Sequence, residues 1–207
     1  MDTSLNRLSR ESSGCVTVVA MGDSLTVGYG VDEEESYPFM LERKLRKNGH
    51  DCRIINAGVN GEKSGDALAR VDRVLSLKPD IVILQTGTND GLRGNSPELM
   101  KENIDSIVRT LAAQGVIVVL AGMRNLKHRK NNYDEEFARV YPEVAQLHGA
   151  ILIPFFLAGV AGEPHLNRAD GIHPTGEGYR IVVETVCPFL VEAIEKVRGY
   201  KRSVPAG

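Results

Sequence analysis

No run of 18 apolar residues occurs in the 207-residue chain, so no segment has the make-up of a membrane-spanning helix. Cysteine is scarce as well. Cys15, Cys52 and Cys187 lie far apart without a Cys-x-x-Cys, which on spacing grounds excludes a disulfide framework and a zinc site. Buried structural thiols are the expectation. Neither charge sign dominates: 25 Lys and Arg against 27 Asp and Glu give a net charge of −2, too weak a field to draw nucleic acid or an anionic membrane. The acidic block Glu33-Glu34-Glu35, extended by Asp32 to four residues, reads as a solvated loop or helix start. Met1 to Gly14 lack the apolar stretch of a signal peptide, leaving a cytoplasmic location as the sequence stands, or a periplasmic or secreted one if a leader has been removed. Internal repeats and linker-like composition breaks are missing too. One domain over 15–199 is expected, between a disordered arm (1–14) and a short tail (200–207).

What remains is ordinary globular material, with 42% apolar and 25% charged residues. The 21 glycines are the exception, about a tenth of the chain against a usual ~7%, and most fall between apolar runs. The first strand is predicted over Cys15–Met21, ending in Gly22-Asp23-Ser24. An amphipathic helix follows near Tyr37–Asn48, with Tyr37, Leu41 and Leu45 inward, Ser36 as its cap and Gly49 at its end. Further strands are expected at Arg53–Asn56, Ile81–Leu84, Val116–Ala121 and Ala150–Ile153. Helices should span Ser64–Leu77, Pro97–Gln114, Tyr133–His148 (kinked at Pro142) and Thr175–Arg198 (broken near Pro188), with a short helical turn at Phe155–Val160. Arg124–Asn132 is too charged to pack and reads as a surface loop. Apolar strands alternating with amphipathic helices imply an α/β fold, a three-layer α/β/α sandwich around a parallel sheet.

In such sheets ligands bind beyond the carboxyl ends of the strands. Those ends carry Ser24, Gly61 and Asn89, and the last loop returns Asp170-Gly171-Ile172-His173-Pro174 to the same rim. A serine in a turn is by itself a common cap, and an Asp-x-x-His a common helix start. Together they supply a nucleophile, a general base and a carboxylate to orient it: Ser24, His173 and Asp170. The Ser24 N–H, the Gly61 N–H and the Asn89 amide are candidate oxyanion donors. Asp23, Gly91, Leu92 and Ile172, adjacent in sequence, are expected to bind substrate. His50, His128, His148 and His165 read as surface residues. The Gly-x-Ser-x-Gly elbow of the α/β-hydrolases does not fit, because Thr26 replaces its second glycine and only one strand precedes the serine.

Four blocks now stand in order: Gly22-Asp23-Ser24-Leu25, the Gly61 turn after Asn56-Ala57-Gly58, Gly87-Thr88-Asn89-Asp90, and Asp170-Gly171-Ile172-His173-Pro174. The sequence resembles the SGNH (GDSL) hydrolase family over roughly Val16 to Leu190. Ser24-Leu25-Thr26-Val27-Gly28-Tyr29-Gly30, Asn89-Asp90-Gly91-Leu92-Arg93-Gly94 and Pro154-Phe155-Phe156 are similar to its bacterial thioesterase/arylesterase/lysophospholipase branch. The resemblance implies a flavodoxin-like sheet of order 2-1-3-4-5, no metal, no organic cofactor, and a mobile Gly91–Pro97 loop beside an acyl pocket. Thr88 stands where close relatives often carry Gly, and Glu62 where they often carry Asp. The reading is a serine esterase for short to medium acyl esters, aryl esters, thioesters or lysophospholipids. Its alternatives are a carbohydrate O-acetyl esterase or acyltransferase on the same residues, a binding protein that kept the fold, and a metal-dependent phosphoesterase built on Asp23, Asn89, Asp90, Asp170 and His173. A small-molecule ester is the expected partner, with neither nucleic acid nor membrane insertion, and the oligomeric state is left open.

Overall fold

A computed structural model describes residues 14–129 and 132–203, so all but Gly14 of the expected arm (1–14) and the last four residues of the expected tail lie outside the described part. Five parallel strands form one sheet in the order β2-β1-β3-β4-β5. They are β1 (Val16–Gly22), β2 (Cys52–Gly58), β3 (Ile81–Gln85), β4 (Ile117–Ala121) and β5 (Ile151–Ile153). All of β3, and all of β1 except Thr17, is buried. That is why these strands read as continuous apolar runs rather than alternating ones. The register sets Gly22 beside both Gly58 and Gln85, so the exits of β1, β2 and β3 are level.

The helices are α1 (Ser24–Val27), α2 (Tyr37–Lys47), α3 (Ser64–Ala69), α4 (Val71–Leu75), α5 (Thr88–Arg93), α6 (Pro97–Ala113), α7 (Tyr133–His148) and α8 (Gly176–Ser203). α2 packs with α8 on one side of the sheet, while α3, α4 and α7 gather around α6 on the other. The predicted stripe of α6 is its buried face: Met100, Ile104, Ile107, Val108 and Leu111 are all but inaccessible. Each contributes on the order of 1.5–3 kcal/mol relative to an exposed side chain.

Several expectations are corrected. The helix expected over Ser64–Leu77 is broken at Arg70, whose backbone (φ −116°, ψ 12°) leaves the helical region. Conversely, α8 runs through Pro188 without the expected break, and α7 runs through Pro142 without a restart. Both prolines sit on exposed faces, where a carbonyl left without its helical N–H costs least. α8 extends to Ser203, beyond the expected domain end at 199. Phe155–Val160 forms turns, and Ser36 stands at the N-cap of α2 as expected but turns its hydroxyl to the Glu33 carbonyl rather than to the helix. His148 is half-buried and bonds Asp105 across α6 and α7 at 2.7 Å, and His50 is half-buried as well, so neither is the surface residue expected. Cys52 and Cys187 are buried thiols, as expected, and burial pushes Cys52 up to about 11; Cys15 is only half-buried.

Candidate active site

β1 ends at Gly22 because nothing larger fits there. A Cβ would press on Thr26 Oγ1 and sit 2.5 Å from the Gln85 carbonyl oxygen. The chain then turns through Asp23, whose Oδ1 accepts the Leu25 N–H at 2.9 Å and caps α1. Ser24 is the first residue of that helix. The helix is tied down by Asn56, whose Nδ2 donates to the Thr26 carbonyl at 3.0 Å. Gln85 anchors it from β3, its Oε1 accepting Thr26 Oγ1–H at 3.0 Å.

The loop before α8 closes on itself through Arg168 N–H to His173 O and Thr175 N–H to Leu166 O, both 2.8 Å. Within it, Asp170 Oδ1 accepts the N–H groups of Ile172 (2.9 Å) and His173 (3.0 Å). Asp170 Oδ2 lies 2.7 Å from His173 Nδ1, and His173 Nε2 lies 2.8 Å from Ser24 Oγ. A carboxylate on Nδ1 keeps the proton there, leaving Nε2 as the acceptor for the serine hydroxyl. Partial burial pulls the Asp170 carboxyl upward. The His173 main-chain and ring N–H groups and the Ile172 N–H outweigh it and hold it at about 2. The Tyr29 ring packs 4.8 Å from the imidazole, centroid to centroid.

Across from Ser24, Gly61 turns with φ +74°, a left-handed conformation that a side chain disfavours. Asn89, in the first turn of α5, donates Nδ2–H to the Glu62 carbonyl at 2.9 Å. Beneath it, Asp90 accepts the Ser64 N–H (2.8 Å) and hydroxyl (3.0 Å), joining α5 to α3. These groups face a cavity of about 180 Å³. Ser24, Gly61, Asn89 and His173 form its polar side, and Tyr29, Leu92 and Ile172 its apolar side, with Asn60 and Thr88 completing it. Larger clefts, of about 620 Å³ between α2 and α8 and about 420 Å³ where β4 and β5 begin, do not border Ser24.

Six expected site residues therefore meet around one cavity, with Asp170 behind His173. Leu92 and Ile172, two of the residues expected to bind substrate, line that cavity. Asp23 and Gly91 do not. Asp23 has no exposed surface, because the same cap that positions Ser24 turns its carboxylate inward, and burial pushes it up to about 6. Gly91 is buried against Asn125 and Phe137. Glu62 is not on the pocket rim either; it is buried in a pair with Arg70. Sequence reasoning assigned no role to Tyr29, although it lies five residues after the nucleophile in a matched stretch. Among the described residues, no group of three or more His, Cys, Asp or Glu side chains is placed to hold a metal ion. Of the residues weighed for a metal centre, Asp23 caps α1, Asp90 bonds Ser64 and Asp170 pairs with His173.

A serine, an imidazole and a carboxylate in relay at the carboxyl edge of a 2-1-3-4-5 sheet define the class of serine acyl hydrolases. The comparisons with known proteins make it particular: residues 20–181 match the GDSL-like Lipase/Acylhydrolase family, and the chain belongs to it. It is 35% identical over 184 residues to "Esterase TesA" of Pseudomonas aeruginosa, covering 88% of this chain and 92% of that one. It is 33% identical over 186 residues to "Arylesterase" of Vibrio mimicus, covering 89% and 93%. A crystal structure of TesA superposes with a TM-score of 0.82 at 35% identity, over 86% of this chain and 99% of that one.

Proposed function

We propose that the chain is a serine esterase that hydrolyses short to medium acyl esters through an acyl-enzyme on Ser24. The observation that carries this reading is the unbroken relay from Asp170 Oδ2 through His173 to Ser24 Oγ, at 2.7 and 2.8 Å. Ser24 Oγ attacks the carbonyl carbon while His173 Nε2 takes its proton, and the C=O electron pair moves onto the oxygen. Ser24 N–H, Gly61 N–H and Asn89 Nδ2–H stabilise that oxyanion. Collapse expels the alkoxide or thiolate, which receives the proton from His173. Water, deprotonated by the same nitrogen, then releases the acid. Asp170, already ionised, pairs with the imidazolium formed in each half-reaction.

The small cavity and its apolar side of Tyr29, Leu92 and Ile172 favour short chains. At about 180 Å³ it lies below the ~300 Å³ lower bound usual for drug-sized ligands. Hydrolysis of a p-nitrophenyl ester series, acetate to palmitate, tests the reading. Chelator-resistant turnover that declines with chain length is expected. Ser24→Ala should lower kcat by roughly 10⁴–10⁶-fold with the fold intact. Turnover retained by the pure variant would overturn the mechanism.

A further inference from the structure

Behind the oxyanion donors lies a buried ion pair that takes no part in the relay. Arg70 grips the Glu62 carboxylate with both arms of its guanidinium, Nη2 to Oε2 at 2.7 Å and Nε to Oε1. The Glu62 side chain is 2% exposed and that of Arg70 19%. Arg70 Nη2 also reaches the carbonyl of Gly22, the residue from which β1 hands over to Asp23 and Ser24, at 3.4 Å. The Glu62 carbonyl in turn accepts Asn89 Nδ2–H at 2.9 Å, and Gly61 is its immediate neighbour in the same turn. One pair therefore ties together the exits of β1, β2 and β3, which carry Ser24, Gly61 and Asn89.

Two further observations indicate that the pair does more than fill space. The helix is broken at Arg70, the residue that supplies the guanidinium, with neither Gly nor Pro at that position to cause it. A buried ion pair is also poor value for stability alone, since apolar side chains of similar size commonly hold a fold as well or better. They would not fix the direction of a carbonyl.

We propose that Glu62 and Arg70 are positioning residues for the oxyanion site, holding the Gly61 N–H and the Asn89 amide at the spacing the tetrahedral intermediate requires. The proposal rests on the reading of those groups as oxyanion donors. Its effect belongs in kcat rather than KM, because the donors act most strongly on charge that develops in the transition state.

The test uses Arg70→Lys, Arg70→Met and the double variant Glu62→Leu/Arg70→Met, with thermal unfolding and p-nitrophenyl acetate kinetics measured on each. Arg70→Met alone leaves a buried carboxylate unpaired and should lower both stability and kcat. The double variant removes the stranded charge and should regain most of the stability. Its kcat should stay down by about tenfold or more, short of the ~10²–10³ for deleting a donor outright, with KM within about twofold of wild type. Arg70→Lys, keeping the charge but not the two-armed grip, should fall between wild type and Arg70→Met. If kcat returns together with stability in the double variant, the pair is structural only and the proposal fails. Turnover that survives Ser24→Ala would instead overturn the esterase reading itself, and the proposal with it.

Discussion

Two aspartates stand near Ser24 within this one site, and their surroundings drive them in opposite directions. Asp23, the residue before Ser24, has no exposed surface. One of its oxygens caps α1, but burial outweighs that bond and the neighbouring Gln85 and Thr88 side chains and pushes it up to about 6. Asp170 sits on a surface turn with its side chain 38% exposed, yet three N–H groups bring it down to about 2. Fixed donors decide which carboxylate holds its charge at the lower pH. The exposed one is a dependable anion for His173. The buried one shapes the turn beneath Ser24 and has no route to a substrate.

The sharpest way to break the comparison is to neutralise each aspartate in turn. Asp170→Asn removes the acceptor that keeps the His173 proton on Nδ1. On the scale seen for such triads, kcat should fall roughly 10⁴-fold, with KM little changed in steady-state ester hydrolysis. The same substitution should alter the acid limb of stability. Asp170's folded value lies below its unfolded 3.8, so its contribution is present above that value and is lost as the pH falls towards about 2. An undiminished kcat would mean that His173 needs no partner.

For Asp23 the sign reverses. Its folded value of about 6 exceeds the unfolded 3.8, so its contribution is fully present below about pH 4 and is lost as the pH rises through 6. Asp23→Asn keeps an oxygen to cap Leu25 and removes the charge. In urea unfolding the variant should be more stable than wild type at pH 8, by up to roughly 3 kcal/mol, with the gap closing below about pH 4. A gap constant across pH would show that the buried charge is not its cause.

The same contrast separates what the sequence made legible from what it hid. Strands that stop at glycine are visible as apolar runs, and the register of a parallel sheet brings their ends together, so Ser24, Gly61 and Asn89 could be grouped before any coordinates. Asp170 and His173 were readable because three residues of spacing let one turn hold both. The buried polar layer was not legible. An aspartate in a turn looks solvated, and only the packing of Gln85 and Thr26 around it shows that Asp23 is enclosed. Helical periodicity over Ser64–Leu77 says nothing of a guanidinium needed by Glu62, so the break at Arg70 went unseen. α1 and α5, of four and six residues, are too short to register a period at all.

The charged stretch Arg124–Asn132, expected to pack on nothing, supplies the smallest of the predicted effects. Helix α5 is so short that its last carbonyls lack partners within the helix. Gly91 O accepts the Gly94 N–H at 3.1 Å, and Arg129 adds to the last turn from outside, Nε to Gly91 O at 3.1 Å and Nη2 to Leu92 O at 2.9 Å, while Tyr133 donates to Asn95 O at 2.7 Å. Its guanidinium also lies over the Tyr133 ring, 5.5 Å from the centroid. The apolar wall at Leu92 is therefore held by the half-buried Arg129 and Tyr133, whereas the side at Gly61 and Asn89 is held by the Glu62–Arg70 pair. Arg129→Gln gives up roughly 1 kcal/mol of hydrogen bonding at a partly solvated position, a shift of only a few degrees in Tm. A looser Leu92 should nonetheless raise kcat/KM for octanoate relative to butyrate p-nitrophenyl esters by a few-fold, within the ~10-fold or so that one methylene of pocket space can command. An unchanged ratio would place the limit on chain length at Ile172 and Tyr29, on the His173 side of the cavity.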